Sequence, residues 1–376
     1  MGKGAVLARQ ETIKKACRVL VVDDSAVARG IIKKILDGEP GIEVVATAVN
    51  GQQALKIAER TEPDLVILDI EMPVMDGMAA LPRLLEKHPS LKVIIASGLA
   101  ERAAKLSLEA LRSGAADFVV KPSSGLGGAA AFRDELVSKV RVHSRGAPEP
   151  ARSSSPSPKA LIEKQSGAAS EASVRRAPKG RVMRPDVVAI GSSTGGPQAL
   201  TEVLRYVGQR IAQPILITQH MPPHFTALLA EQLGKISGRS AAEARDGDVV
   251  EEGKIYLAPG GLHMLVETRA SGGALLRLSD APPENSCRPA VDPMLRSIAR
   301  VYGDRVLAVI LTGMGVDGMK GCESIVDAGG TVLAQDMETS VVWGMPGAVA
   351  SAGLAHSILP IGKVGPAIER IAGGVE

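Results

Sequence analysis

The sequence predicts an α/β protein made of two doubly wound parallel-sheet domains, and three observations carry this prediction. At 376 residues, the chain is longer than a single hydrophobic core usually supports. Short, nearly continuous apolar runs alternate with helical periodicity over residues 18–141 and again from residue 186 onward. This alternation is typical of parallel strands that are covered on both faces. The intervening residues 144–183 are rich in Ser, Pro, Ala and Gly, which is typical of a flexible linker.

These patterns set the expected organisation of the chain. We expect a tail over residues 1–17, a first domain over 18–143, the linker over 144–183 and a second domain over 184–376. In the first domain, five β-branched runs predict strands, with helical segments such as 51–60 and 79–87 between them. The runs are 19–22, 44–46, 65–68, 93–96 and 118–120.

The second domain repeats this rhythm. Helices are predicted over 197–205, 292–301 and 319–328. The predicted strands are 186–190, 214–218, 255–258, 306–311, 331–334 and 357–359.

The composition of the chain argues against several classes of function. The net charge is only +3 and aromatic residues make up 2% of the chain, so the basic stripe and stacking aromatics of a nucleic-acid binder are missing. The three scattered cysteines, Cys17, Cys287 and Cys322, argue against a disulfide framework or a structural zinc site. No apolar run reaches the ~20 residues that span a bilayer, so we expect no direct membrane insertion and a cytoplasmic protein.

Polar side chains follow successive strands of the first predicted sheet. Asp23 and Asp24 follow the first strand, Asp69 the third, Ser97 the fourth and Lys121 the fifth. The carboxyl ends of parallel strands meet at one sheet edge, where ligands bind. Converging carboxylates repel one another unless a cation lies among them, and their oxygen atoms suit Mg²⁺. The alternative is that each aspartate merely caps a turn, which is less convincing for five residues together than for one.

The first strand of the second domain is followed by a turn that fits G-x-S-x-G. The turn spans residues 191–195, with Ser193 at its centre and Pro197 early in the next helix. Small residues permit a sharp strand-to-helix turn that exposes the serine and leaves backbone N–H groups to hold an oxyanion. Glycine-rich turns also bind nucleotide phosphates, but such a site would want an acidic residue at the end of the next strand. Because that strand ends at His220 instead, a hydrolase is favoured.

A nucleophilic serine needs a base, and the base needs an orienting carboxylate. His220 lies at the same predicted sheet edge as Ser193, with His224 as a nearby rival. Asp317 follows an apolar strand within a glycine-rich turn, which favours it as the carboxylate.

Two other carboxylates stay open as the orienting acid. Asp336 is the second choice and Asp292 a further candidate. With Asp317, the chain order is Ser…His…Asp, which differs from the order in common α/β-hydrolases and argues against that fold.

Three motifs give the first domain a family resemblance: LVVDDS at 20–25, ILDIEMPVMDG at 67–77 and DFVVKP at 117–122. They resemble the receiver domains of two-component response regulators. The resemblance implies a flavodoxin-like domain in which a histidine kinase phosphorylates Asp69. It also implies a Mg²⁺ site and a switch that responds to phosphorylation. By this resemblance, the metal ligands are Asp23, Asp24, Asp69 and the backbone carbonyl of Glu71. The resemblance also implies that Ser97 and Phe118 move on phosphorylation and that Lys121 contacts the phosphoryl group.

Four motifs of the second domain are similar to the catalytic domain of chemotaxis-specific protein-glutamate methylesterases, a Rossmann-like domain. They are IGSSTGGP at 190–197, QHMPPHFT at 219–226, SCRPAVD at 286–292 and LTGMGVDG at 311–318. The resemblance implies that Ser193 is the nucleophile, His220 the general base and Asp317 its orienting group. It places Thr194 and Met314 around the oxyanion and Arg288 near the rim of the site. Ser192 stands where the family often has alanine, and the sequence assigns it no role.

The two resemblances together imply a phosphorylation-activated serine hydrolase. The expected reactions are demethylation of glutamate γ-methyl esters on methyl-accepting chemotaxis receptors, with release of methanol, and deamidation of receptor glutamines. The expected partners are these receptors and a chemotaxis histidine kinase, at receptor arrays on the inner face of the membrane. Mg²⁺ is expected in the receiver and no cofactor for the ester hydrolysis. A phosphate sink with vestigial catalysis is the alternative, whereas a DNA-binding regulator would need a basic recognition helix that the sequence lacks.

Overall fold

A computed structural model describes residues 16–122, 126–144 and 183–374. They form two compact units, one containing a five-stranded sheet and the other a seven-stranded sheet. The predicted tail is described only at residues 16 and 17. The predicted linker lies outside the described residues except at Ser144 and Met183, so the domain boundaries stay predictions.

The first sheet contains the five predicted strands. They are β1 (Cys17–Val22), β2 (Ile42–Ala48), β3 (Leu65–Asp69), β4 (Lys92–Ser97) and β5 (Asp117–Val120). The helices between and after them are α1 (Ala26–Asp37), α2 (Gly51–Thr61), α3 (Gly77–Lys87), α4 (Glu101–Arg112) and α5 (Leu126–His143). The strand order is β2-β1-β3-β4-β5, and β1 pairs in parallel with both β2 and β3. This is the flavodoxin-like order, whose ligand crevice lies where the order reverses, at β1 and β3.

The second unit contains a larger parallel sheet. Its strands are β6 (Val187–Ser192), β7 (Ile215–Gln219), β8 (Ser240–Glu243), β9 (Lys254–Leu257), β12 (Val306–Ile310), β13 (Thr331–Gln335) and β14 (Ser357–Leu359). A separate hairpin contains β10 (His263–Thr268) and β11 (Ala274–Ser279). The helices are α6 (Gly196–Val207), α7 (Phe225–Ser237), α8 (Val291–Tyr302), α9 (Met319–Asp327), α10 (Met345–Ser351) and α11 (Ile361–Ala372), with a short 3₁₀ turn at Gly208–Arg210.

The order of this sheet is β14-β13-β12-β6-β7-β9-β8, and its strand pairs are parallel. The order reverses beside β6, which has β12 on one side and β7 on the other. The predicted doubly wound fold is therefore confirmed in both units. The crevice of the second unit is expected at the carboxyl ends of β6, β7 and β12.

The sequence did not predict β8, β10 or β11. The short β8 has the sequence SAAE, which lacks the β-branched residues of a typical strand. The β10–β11 hairpin is antiparallel and buries only one face, through Met264, Val266 and Leu276. Its polar residues interrupt the apolar runs by which the parallel strands are recognised.

The inner strands of both sheets are buried along most of their length, which fits helices on both faces. Within the described ranges, no helix combines the length and the apolar character needed to cross a membrane.

Candidate active site and acidic pocket

The acidic pocket of the first unit brings three predicted residues together. Asp23, Asp24 and Asp69 each place a carboxylate oxygen within 4.8 Å of the others. Asp23 and Asp69 are buried, whereas Asp24 is exposed. Hard carboxylate oxygens this close, on a partly open edge, fit the requirements of a Mg²⁺ ion that keeps some of its water ligands.

Lys121 lies in the same pocket. Its Nζ is 2.7 Å from Oδ2 of Asp23 and 2.9 Å from Oδ2 of Asp69. Burial raises the pKa of the Asp69 carboxyl, and the ion pair with Lys121 offsets only part of this effect. Burial disfavours the charged form of Lys121, but its bonds to Asp23 and Asp69 outweigh burial and raise its pKa. The ammonium group therefore stays charged and partly neutralises the pocket.

A close backbone approach positions Asp69. A Cβ atom on Gly77 would lie 2.1 Å from the carbonyl oxygen of Asp69, so only glycine fits at the start of α3. The N–H of Gly77 donates to the carbonyl of Ile70, at 2.8 Å. Asp76 caps α3 by accepting from the N–H of Ala79, at 2.8 Å. The DG pair of the sequence motif thus holds the end of β3 beside the first turn of α3.

The remaining predicted receiver residues have different surroundings. Ser97 is buried at the end of β4 and accepts a hydrogen bond from the hydroxyl of Ser107, at 2.8 Å. Phe118 is buried on β5, and Nζ of Lys139 lies 4.9 Å from the centre of its ring. Glu71 is exposed two residues beyond β3. The motion of Ser97 and Phe118 and the role of the Glu71 carbonyl stay predictions.

In the second unit, Ser193 occupies the predicted turn between β6 and α6. Its N–H donates to the carbonyl of Thr312, at 3.0 Å, and its carbonyl accepts from the N–H of Gly196, at 2.8 Å. Gly195 has φ 75°, a left-handed conformation that favours glycine. A Cβ atom on Gly313 would lie 2.9 Å from the Cβ of Ser193, so the loop after β12 packs closely on the serine. Ser193 itself is half-buried.

Gln219 links the ends of β6 and β7. Its amide nitrogen donates to the carbonyl of Ser193, at 2.9 Å, and to that of His220, at 3.2 Å. The hydroxyl of Ser192 donates to Oε1 of Gln219, at 2.7 Å. The N–H of His220 donates to the carbonyl of Ser192, at 3.1 Å. The backbone of the predicted base is therefore fixed beside the backbone of the predicted nucleophile.

His220 and Asp317 form a direct pair. Nε2 of His220 lies 2.7 Å from Oδ2 of Asp317, whose side chain is nearly fully buried. An ionised Asp317 accepts a hydrogen bond from the N–H at Nε2. Nδ1 of His220 is therefore the nitrogen that can take up a further proton.

Asp317 is surrounded by backbone donors. Its Oδ2 accepts from the N–H of Val291, at 2.6 Å, and its Oδ1 accepts from those of Asp292 and Gly318, at 3.1 and 3.0 Å. Val291 and Asp292 begin α8, so the carboxylate also lies at the positive end of a helix dipole. This environment stabilises the ionised acid.

The pKa shifts agree with this geometry. Burial disfavours the ionised form of Asp317, but the hydrogen bonds from His220 and the backbone outweigh it and lower the pKa of the carboxyl. Burial also disfavours the imidazolium form of His220. Its interactions with Asp317 and Cys287 together outweigh burial and raise its pKa to about 9.

The other two carboxylate candidates lie elsewhere in the network. Asp292 is buried behind Asp317, and its Oδ1 accepts from the N–H of Gly321, at 2.7 Å. Asp336 accepts from the N–H of Thr339, at 3.0 Å, and so stabilises a turn. Among the described residues, Asp317 is the carboxylate bonded to His220, as the sequence favours.

A turn at residues 284–287 contributes two side chains that the sequence analysis did not single out. Asn285 donates to Oδ1 of Asp317 and to Oδ2 of Asp292, at 2.8 and 2.9 Å. The Sγ of Cys287 lies 3.4 Å from Nδ1 of His220. Their position within and beside the SCRPAVD motif was the available signal, but their contacts depend on the backbone of the turn. Gln219 was also missed, although it directly precedes His220.

The remaining predicted residues lie around this centre without testing their predicted roles. Thr194 is buried, and its carbonyl accepts from the hydroxyl of Thr312, at 2.9 Å. Met314 is half-buried in the loop after β12. Arg288 donates to the carbonyl of Asp280, at 2.7 Å. His224 is exposed at the start of α7, with φ 72°.

The fold and these sites define a class of protein, in which a domain with a receiver-type acidic pocket is joined to an α/β domain with a Ser/His/Asp cluster. A family model for the response regulator receiver domain matches residues 19–126, and one for the CheB methylesterase matches residues 188–368.

Curated relatives match almost the whole chain. The sequence is 52% identical over 366 residues to protein-glutamate methylesterase/protein-glutamine glutaminase 1 of Paramagnetospirillum magneticum, covering 94% of this chain and 96% of that one. It is 50% identical over 371 residues to the corresponding protein of Azospirillum brasilense, covering 94% and 92%. The crystal structure of the Thermotoga maritima CheB methylesterase catalytic domain is 40% identical, with a TM-score of 0.48, and covers 50% of this chain and 98% of that one. The chain belongs to the protein-glutamate methylesterase/protein-glutamine glutaminase family.

Proposed function

We propose that this protein is a phosphorylation-activated esterase that hydrolyses glutamate γ-methyl esters on methyl-accepting chemotaxis receptors, and that it also deamidates receptor glutamines. The observation that carries the proposal is the 2.7 Å bond between His220 and a buried, helix-capping Asp317, next to the serine turn at Ser193. The names of the relatives supply the substrate class, protein glutamate esters and glutamines.

The proposed reaction assigns each residue one role. Ser193 attacks the ester carbonyl while Nδ1 of His220 accepts the hydroxyl proton, and Asp317 stabilises the imidazolium that forms. His220 returns the proton to the leaving methoxide, which departs as methanol. Water, activated by His220, then hydrolyses the acyl-enzyme to glutamate. A glutamine substrate gives the same acyl-enzyme and releases ammonia instead.

The oxyanion that forms needs donors at the serine turn. We assign Thr194 and Met314 to its surroundings and Arg288 to the substrate rim. Burial of Thr194 and the packing of the loop containing Gly313 against Ser193 support a compact oxyanion region.

Ser193→Ala tests the enzymatic proposal. Methylated receptor membranes are incubated with the wild type or the variant, and methanol is measured. We expect Ser193→Ala to release none above background, because the acyl-enzyme cannot form. Asp336→Asn is the matched control, since that carboxylate bonds to Thr339 in a turn and not to His220. Normal methanol release by Ser193→Ala would disprove the enzymatic assignment.

The regulatory half of the proposal concerns Asp69. We propose that a histidine kinase phosphorylates Asp69 and that Asp23, Asp24, Asp69 and the Glu71 carbonyl would hold the Mg²⁺ ion. When bound, Mg²⁺ neutralises negative charge on the aspartate and on the incoming phosphate. Lys121 contacts the phosphoryl group, and Ser97 and Phe118 respond to it. The convergence of three carboxylates and one ammonium group supports this assignment.

The switch is tested with a small phosphodonor. We expect the phosphodonor to increase methanol release by the wild type but not by Asp69→Asn, which has no carboxylate to phosphorylate. Equal stimulation of both proteins would disprove the assignment of Asp69. The proposed location is the cytoplasmic face of receptor arrays, reached through receptors and kinase rather than through membrane insertion.

A further inference from the structure

We propose that Cys287 is a positioning residue of the esterase site, whose sulfur accepts a hydrogen bond from the protonated Nδ1 of His220 in the resting enzyme. The proposal rests on the proposed esterase function. It adds a thiol–imidazole pair that delays the onset of activity as the pH rises.

The contact geometry is the first argument. Nε2 of His220 is bonded to Asp317, so Nδ1 is the nitrogen left for the proton of Ser193. The Sγ of Cys287 lies 3.4 Å from this same Nδ1, within the range of a sulfur hydrogen bond. In the proposed reaction, this same nitrogen takes up the proton of Ser193.

The turn that presents Cys287 is held in place by several contacts. The backbone groups of Glu284 and Cys287 bond to each other in both directions, at 3.1 and 2.9 Å. Asn285 and Ser286 between them have φ values of 52° and 64°, a conformation that costs free energy and persists only where neighbouring contacts enforce it. Arg296 makes a two-pronged ion pair with Glu284, at 2.7 and 2.6 Å.

Exposure separates Cys287 from the other two cysteines. Cys17 and Cys322 are buried, whereas Cys287 is half-exposed and faces an imidazole. When Nδ1 is protonated, its N–H can donate to the sulfur of Cys287, and this bond favours the imidazolium form of His220. In that form, Nδ1 already carries a proton and cannot take another from Ser193.

The groups around His220 determine whether removal of the thiol raises or lowers the pKa of the imidazole. Asp317 faces Nε2 and Cys287 faces Nδ1, and both raise the pKa of His220. Behind Asp317 lies Asp292, whose pKa is raised by burial. Glu284 on the same turn is paired with Arg296. Removing the thiol therefore lowers the pKa of His220 and leaves the Asp317 pair in place.

The experiment compares Cys287→Ala and Cys287→Ser with Ser286→Ala, an exposed neighbour in the same turn. The pH dependence of kcat/KM for methanol release is measured with the full chain. We expect Cys287→Ala to move the acid limb to lower pH by on the order of one unit, so that activity below the limb rises up to about tenfold. Cys287→Ser keeps an acceptor for the protonated Nδ1, so its acid limb should stay closer to that of the wild type. Ser286→Ala should have the wild-type limb.

A second readout does not depend on catalysis. The imidazole of His220 is titrated by NMR in the full chain, with His220→Gln identifying its signals, and its pKa should fall in Cys287→Ala and by less in Cys287→Ser. Unchanged acid limbs and an unchanged titration of His220 would overturn the proposal. Loss of all activity in Cys287→Ala and Cys287→Ser would also overturn it, because the thiol would then be the nucleophile. If Ser193→Ala still released methanol, the proposed function would fail, while the titration would still report on the thiol–imidazole pair.

Discussion

The hydroxyl of Ser192 donates a 2.7 Å hydrogen bond to Oε1 of Gln219, and both side chains are almost fully buried. The sequence assigned Ser192 no role, although it directly precedes the predicted nucleophile. Its partner Gln219 donates to the carbonyls of Ser193 and His220. Ser192 therefore orients the amide that joins the ends of β6 and β7.

This relationship predicts a graded response to mutation. Ser192→Ala should reduce the free energy of unfolding by about 1 kcal/mol and leave kcat within about tenfold of the wild type, because Gln219 keeps its two backbone bonds. Gln219→Leu should cost about 2–3 kcal/mol and lower kcat further, because two partly buried carbonyls and one buried hydroxyl lose their partner. Urea unfolding and methanol release measure these effects. Gln209→Leu, which removes an exposed bond to the carbonyl of Gly238, is the control. A Gln219→Leu protein as stable and active as that control would contradict the prediction.

Asp317 is predicted to act through the state of His220. Asp317→Asn should lower kcat by about 10³- to 10⁴-fold with a smaller effect on KM, because an amide neither fixes the tautomer nor stabilises the imidazolium. The pKa of His220 should fall at the same time, since the bond to Asp317 raises it. Steady-state kinetics and an NMR titration check both effects. A variant that keeps within tenfold of the wild-type kcat would remove Asp317 from the proposed mechanism.

The same pair predicts how stability depends on pH. The pKa of His220 is raised from 6.5 to about 9 by folding, so its stabilising contribution is fully present below about pH 6.5 and is lost as the pH rises through 9. The upper limit of the effect is about 3 kcal/mol. Trp343 is the only tryptophan of the chain and lies in the second unit, so its fluorescence reports unfolding there. The difference in the free energy of unfolding between wild type and His220→Gln should shrink as the pH rises from 6.5 to 9. A constant difference would contradict the shift.

In the acidic pocket, Lys121 and a metal ion compete for the same carboxylates. Nζ of Lys121 is 2.7 Å from Oδ2 of Asp23 and 2.9 Å from Oδ2 of Asp69. We expect Lys121→Met to bind Mg²⁺ more tightly, by about tenfold, because removal of the ammonium leaves the pocket more negative. Calorimetric titration of the full chain measures the Kd. Lys87→Met removes an exposed lysine that pairs with Glu59 and should leave the Kd unchanged. Weaker binding by Lys121→Met would show that the lysine supports the metal site.

The sequence could predict the site residues whose positions are determined by the ends of strands. Because parallel strands place their carboxyl ends at one edge, the positions of Asp23, Asp69, His220 and Asp317 follow from the order of apolar runs. The contacts of Asn285 do not follow in this way. They require positive φ at two successive residues, 285 and 286, which no hydrophobic period encodes. The β10–β11 hairpin was missed for a related reason, since its half-exposed strands lack continuous apolar runs.

Asn285 provides the last prediction, because one amide group donates to two buried carboxylates, at 2.8 Å to Asp317 and at 2.9 Å to Asp292. Asn285→Asp replaces these two donors with a third carboxyl group. Neighbouring negative charges will raise the pKa of the new carboxyl above its ordinary value. The protein should therefore be destabilised by about 2–4 kcal/mol at neutral pH and should recover as the pH falls through that raised pKa.

Ser286→Asp is the matched control for Asn285→Asp. It adds the same charge to the next residue of the same turn, at an exposed position. Urea unfolding followed through Trp343 should give a pH-dependent loss for Asn285→Asp and only a small loss for Ser286→Asp. Equal losses of stability in the two variants would mean that the added charge destabilises the turn and that the bonds of Asn285 to Asp317 and Asp292 do not matter. The comparison therefore isolates the amide bridge as the feature that keeps Asp317 ionised next to a second buried carboxyl.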